Sequence, residues 1–120
     1  MNEKENEYEL MFGKPNNPEY VLCAAIHFND YEEYEHQPRN IERGYVICGR
    51  RHHNIYATVM IINGKSMTAI EKMTEANGKA IQGFLTSKDR FLNREEAGKL
   101  AYEMKQITKI TKCLFSEDLY

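Results

Sequence analysis

Tyr20-Val-Leu-Cys-Ala-Ala-Ile-His-Phe28 is an almost unbroken apolar run in an otherwise polar chain. A strand with one wet face alternates apolar and polar residues. This one does not, and so predicts a central strand buried on both faces. Asn29-Asp30 then supplies turn chemistry. Tyr31-Glu-Glu-Tyr-Glu-His-Gln37 reads as a second, more exposed strand of a hairpin, with a helix as the alternative, and Pro38 ends it. Gly44–Gly49 and Ala80–Thr86 are the other strand-like segments, and Ser87–Arg90 reads as a tight turn.

Two segments carry helical spacing. From His52 to about Ile62 the residues Ile55, Tyr56, Val59, Met60 and Ile62 share one stripe, and Asn63-Gly64 is a stop signal. Asn93-Arg-Glu-Glu96 fits a capping box, a cap residue with glutamate three positions later. Behind it Ala97, Leu100, Ala101 and Met104 fall on one face. Ser66–Ala76 reads as a further short helix or as a surface excursion closed by Asn77-Gly78, and residues 107–120 as an extended tail. Strands and helices do not alternate strictly. The expectation is an α+β fold, a small antiparallel or mixed sheet packed with two or three helices. Residues 1–17, with the turn cluster that begins at Gly13, read as a flexible N-terminal segment, and 18–120 as one ligand-binding domain.

At 120 residues such a domain buries roughly two-thirds of its unfolded surface. Eight tyrosines and no tryptophan in a lean core point to aromatic surface completed by a partner subunit. A net charge of −2 excludes a chain-wide basic field, and long nucleic acid with it. Charge is instead local: nine acidic side chains lie in residues 1–35, while the Arg39–Arg51 and Lys88–Lys112 stretches lean basic. Cys23, Cys48 and Cys113 form no Cys-x-x-Cys pair and read as free thiols in a reducing compartment. Cys23 and Cys48, inside apolar runs, read as small core residues. The acidic N-terminus is wrong for a signal peptide, and no apolar run approaches the ~20 residues a membrane span needs. The expectation is a cytoplasmic protein with no membrane partner.

Function is concentrated at Gly44-Tyr-Val-Ile-Cys-Gly-Arg50-Arg51-His52-His53-Asn54, where a strand hands over to a helix N-terminus. Unpaired N–H groups and the helix dipole there favour an anion. The guanidinium forks of Arg50 and Arg51 match phosphate oxygens two at a time. The competing reading is a solvated helix start. Adjacent His52 and His53 cannot chelate a metal from one face of a helix, and no zinc spacing is present. Nor does a nucleophile elbow accompany Cys48. The expectation is therefore binding without metal, cofactor or catalysis.

The second constellation is Gly83-Phe-Leu-Thr-Ser-Lys-Asp-Arg-Phe-Leu-Asn93. Phe84 or Phe91 could stack on a base, or the two could form a cross-strand core pair. Thr86, Ser87 and Arg90 could reach phosphate or ribose oxygens. Arg94, in the first turn of the next helix, opposes the helix dipole and needs a reason such as a bound anion.

Leu22-Cys-Ala-Ala-Ile-His-Phe, Glu35-His-Gln-Pro, Gly44–Asn54, Gly83-Phe-Leu-Thr-Ser, Arg90–Ala97 and Phe115-Ser-Glu-Asp-Leu-Tyr, taken in order, resemble the Thoeris anti-defence 1 family of phage sponge proteins. The resemblance runs from about residue 18 to the last residue. It implies sequestration, without cleavage, of the cyclic ADP-ribose isomer made by a bacterial immune TIR enzyme, and in some members of cyclic oligonucleotides. It also implies a dimer or trimer of dimers with pockets completed between subunits, acting in the cytoplasm of an infected host. Phe84 and Asn93 are the ligand contacts it carries over. A C-terminal cationic contact falls to Lys109 or Lys112, lysines where the family places arginine. The full candidate set is Phe84, Asn93, Arg50, Arg51, His53, Thr86, Arg90, Phe91 and Lys112. Two other readings of the same residues are a hydrolase of such a signal using His52 or His53, and a phage module that binds a host protein.

Overall fold

The computed structural model describes residues 18–62 and 80–120. Four strands, β1 (Val21–Phe28), β2 (Tyr45–Gly49), β3 (Ala80–Thr86) and β4 (Phe91–Asn93), form one sheet in the order β2-β1-β3-β4, antiparallel throughout. Helices α1 (His52–Ile62) and α2 (Arg94–Glu103) pack on it, and a one-turn helix α3 (Ser116–Leu119) closes the chain. The α+β expectation holds. The expected segments at 1–17, Asn63-Gly64, Ser66–Ala76 and Asn77-Gly78 lie outside the described residues.

Register explains the core. Ala24 faces Phe84 and Phe28 faces Ala80 across β1 and β3, while Leu92 lies beside Phe84 on β4. These side chains and Ile26 point to the helix layer, where Ile55 and Val59 of α1, Ala97 and Ala101 of α2, and Leu114 meet them. Small residues at Ala97 and Ala101 let α2 lie close to the sheet. Asn93 caps α2 as the sequence predicts: its Oδ1 accepts the Glu96 N–H at 2.8 Å, and the Glu96 carboxylate takes the Asn93 N–H at 3.0 Å.

The other face of β1 is only partly covered, so burial on both faces is corrected. The Phe91 ring lies over Gly83, where an added Cβ would stand 2.7 Å from its Cζ, and beside His27. Farther along this face Cys23 is half-buried and Cys48 exposed, not core residues as expected. The second correction is Tyr31–Gln37, which is loop. Asn29 and Asp30 capture the N–H groups of Tyr31 and Glu32 with their own side chains, and Tyr31 and His36 take positive φ. Short polar side chains here outcompete a strand ladder. Gly44, at φ 83°, then swings the chain into β2, with no room for a Cβ beside the Phe28 carbonyl. The third correction is the tail. Leu114 is wholly buried and α3 follows it, so residues 107–120 are not simply extended.

Both edges of the sheet are met by groups from outside it. On β2, the Glu32 carbonyl accepts the N–H of the preceding Gly44 at 2.8 Å, and Gln37 Oε1 accepts that of Val46 at 2.8 Å. On β4, Asn40 bonds both the N–H and the carbonyl of Phe91, at 2.8 and 2.6 Å, and Glu96 takes the N–H of Asn93.

Candidate functional site at an arginine junction

β2 and β4 are the two edge strands and run in opposite directions, but both end at the level of Ala24 and Ala25 of β1, so the N-termini of α1 and α2 approach each other across the middle of the sheet. Between them lies His52. Its Nε2 stands 2.8 Å from the Gly83 carbonyl. A carbonyl can only accept, so Nε2 carries the proton and Nδ1 offers a lone pair, which a long 3.4 Å contact from Arg94 meets. The ring is buried and packs edge-on against Phe84 at 5.3 Å. Both nitrogens are thus used in holding the junction.

Arg94 donates to the Leu114 carbonyl and to Gln82 Oε1, both at 2.5 Å, and lies over the Phe115 ring at 4.8 Å. Arg51 donates to Ser116 Oγ at 3.0 Å and to the Tyr120 carbonyl at 2.5 Å, with the Glu117 carboxylate 3.8 Å away. It sits over the Tyr120 ring at 5.0 Å. The Tyr120 hydroxyl donates to the Arg50 carbonyl at 2.6 Å and accepts the Ala24 N–H at 3.3 Å, extending the β1–β2 ladder by one phenolic rung. Two arginines remote in sequence therefore clasp one segment, Leu114–Tyr120, through oxygens and ring faces. The dipole-opposing Arg94 has its reason here: protein carbonyls and an aromatic face receive it.

The candidates sort into two groups. At the junction stand Arg51, just described, and Arg50 and His53, both exposed. Phe84 lies beneath with no exposed surface. Asn93 is committed to its cap. Lys112 is exposed on the segment that runs against Gly98 of α2, where an added Cβ would stand 2.6 Å from the Thr111 carbonyl. Lys109 borders a cavity of about 450 Å³ between residues 106–111 and Asp118 of α3. The second group sits at the β3–β4 turn. Thr86 donates to Glu19 at 2.6 Å, and Arg90 grips the same carboxylate through two nitrogens at 2.8 and 2.6 Å. The Arg90 guanidinium holds the Glu19 carboxyl below its usual range. Phe91 is buried against His27. Sequence reasoning missed Gln82, Phe115 and Tyr120. For Phe115 and Tyr120 the signal was the acidic-aromatic composition of residues 115–120, which says nothing of where they dock, and Gln82 left none.

A family model described as Phage T4 y16D protein matches residues 20–120, nearly the whole described domain and all of the junction. The chain belongs to that family. Membership in the Phage T4 y16D family makes it a phage protein, and among the described residues no helix is long and apolar enough to cross a membrane. No curated protein and no solved structure matches it.

Proposed function

We propose that this phage protein binds a cyclic ADP-ribose isomer at the arginine junction and holds it uncleaved, depriving a bacterial TIR-dependent immune effector of its signal. The observation that carries the reading is the convergence of Arg51 and Arg94 at two neighbouring helix N-termini, each over an aromatic ring. Both forks are engaged by protein oxygens, so they fix one wall of the site, and the exposed Arg50 beside them is a cation suited to the phosphate oxygens. Arg50 and Lys112 add exposed cations for the pyrophosphate, and His53 an exposed imidazole that can hydrogen-bond it. Phe115, half-exposed, offers the ring on which adenine would stack, while Phe84 and Asn93 hold the junction from below and beside. His52, with both nitrogens occupied, is poorly disposed to act as acid or base. A partner subunit would complete the pocket, in line with the resemblance to sponge proteins.

Differential scanning of the protein with cyclic ADP-ribose isomers tests the reading. Ligand at 100 times its dissociation constant should add about 2.7 kcal/mol of stability. Heating the complex should then release intact ligand. A cleaved product would replace sequestration by hydrolysis, and no stabilisation by any isomer or cyclic oligonucleotide would favour a host-protein partner instead.

A further inference from the structure

Away from the arginine clasp, a rigid surface is built where α2 ends. At Lys105 the backbone takes φ 59°. The N–H groups of Lys105 and Gln106 fold back onto the carbonyls of Tyr102 and Ala101, at 3.1 and 2.8 Å. This is the Schellman pattern of a helix C-terminus, with lysine at the left-handed position where glycine is usual. Gln106 then clamps the loop to the sheet. Its amide accepts the Val21 N–H at 2.9 Å and donates to the Val21 carbonyl at 2.8 Å. The Thr111 carbonyl presses so close to Gly98 that an added Cβ would stand 2.6 Å from it. The shape of this end is therefore set before any partner arrives.

Two hollows flank the ridge that Ile107 and Thr108 make. One is the cavity bordered by Lys109 and Asp118, where Ile110 stands 74% exposed. The other, of about 510 Å³, lies between Ile107 and the last turn of α2, with Tyr102, Glu103 and Lys105 around it. A bare isoleucine thus stands beside an open hollow walled by a tyrosine ring and a second isoleucine. Fully burying such a side chain is worth about 1.5–3 kcal/mol. Each hollow also carries one acid and one lysine, Asp118 with Lys109 and Glu103 with Lys105. Among the described residues Glu103, Lys105 and Lys109 enter no ion pair. Asp118 takes the Phe115 N–H through Oδ2, which leaves Oδ1 to accept.

We propose that this end of the molecule pairs with a second copy of itself, across a two-fold axis near the Ile107–Thr108 ridge. A two-fold sets the Ile110 side of one copy against the Tyr102 side of the other, and the reverse. Ile110 enters the partner's hollow beside Tyr102. Around it Glu103 meets the partner's Lys109, and Lys105 the partner's Asp118, so every charge on the rim faces its opposite. Knob and hollow are both used up, and the assembly closes at two. The pairing gives the partner subunit of the sequestration reading a place beside α3. It also stands without that reading, because no ligand takes part.

Sedimentation equilibrium of the ligand-free full chain is the test. A monomer–dimer equilibrium with no larger species is expected. Ile110→Asp puts a carboxylate into the apolar hollow, and Glu103→Lys sets two lysines face to face. Each should raise the dissociation constant by about tenfold or more. Both positions are exposed, so the melting temperature of a diluted, monomeric sample should stay near that of wild type. Glu103→Lys combined with Lys109→Glu should recover the wild-type constant. A monomer at every concentration, which would leave the hollow to some other partner, overturns the proposal. So does a dimer indifferent to Ile110→Asp, a double reversal no better than Glu103→Lys alone, or chains of growing length. A monomer here leaves cyclic ADP-ribose binding standing, and a failure of that binding leaves the dimer standing.

Discussion

At the scale of single residues, the junction separates cations that hold the fold from cations that are free to act. The Arg51 and Arg94 side chains are both engaged in the clasp, while among the described residues Arg50 takes part through its carbonyl. Arg50→Gln should therefore leave thermal stability within about 0.5 kcal/mol of wild type. It should weaken cyclic ADP-ribose binding by about tenfold, or 1.4 kcal/mol, measured by isothermal titration. This level is where the sequence was hardest to read. Phe84 looks the same in a core as in a stacking platform, and only the register of β3 against β1 decides that its ring faces the helix layer. The clasp of Arg94 on Leu114 could not be found from spacing, because a carbonyl acceptor leaves no trace in residue type.

Elements were more legible. The strands at 21–28, 45–49 and 80–86, the helix at 52–62 and the capped helix at 94–103 follow from periodicity and cap chemistry that act locally. Residues 31–37 misled because a tyrosine–glutamate alternation resembles a strand, while Asn29 and Asp30 had already diverted the backbone. Gly83 shows how tightly two elements meet. An added methyl would lie 2.1 Å from the Leu92 carbonyl, so Gly83→Ala should part β3 from β4 and cost more than about 2 kcal/mol in urea denaturation. The β3–β4 turn is also tied to Glu19. Because Arg90 lowers the Glu19 carboxyl from its ordinary 4.5, the folded chain binds fewer protons there than the unfolded chain. That contribution is complete above the unfolded value and fades as pH falls through the lower folded one. The wild-type urea midpoint should accordingly fall more steeply below about pH 4.5 than that of Glu19→Gln.

For the whole molecule, the C-terminal segment belongs to the core as much as to the site. Leu114 has no exposed surface and meets side chains of the central layer. Leu114→Ala should cost about 2–5 kcal/mol, visible as a lower melting temperature, and should weaken ligand binding by loosening the clasp as well. A role in sequestration also sets a demand on abundance, since a stoichiometric binder must be present at least mole for mole with its target. The amides of Asn40 and Gln37, the Glu96 carboxylate and the Glu32 carbonyl occupy N–H groups along the sheet's two margins. Neighbouring molecules are thereby denied the easiest seam along which to zip into fibres, and crowding a cell with this protein becomes compatible with keeping it in solution.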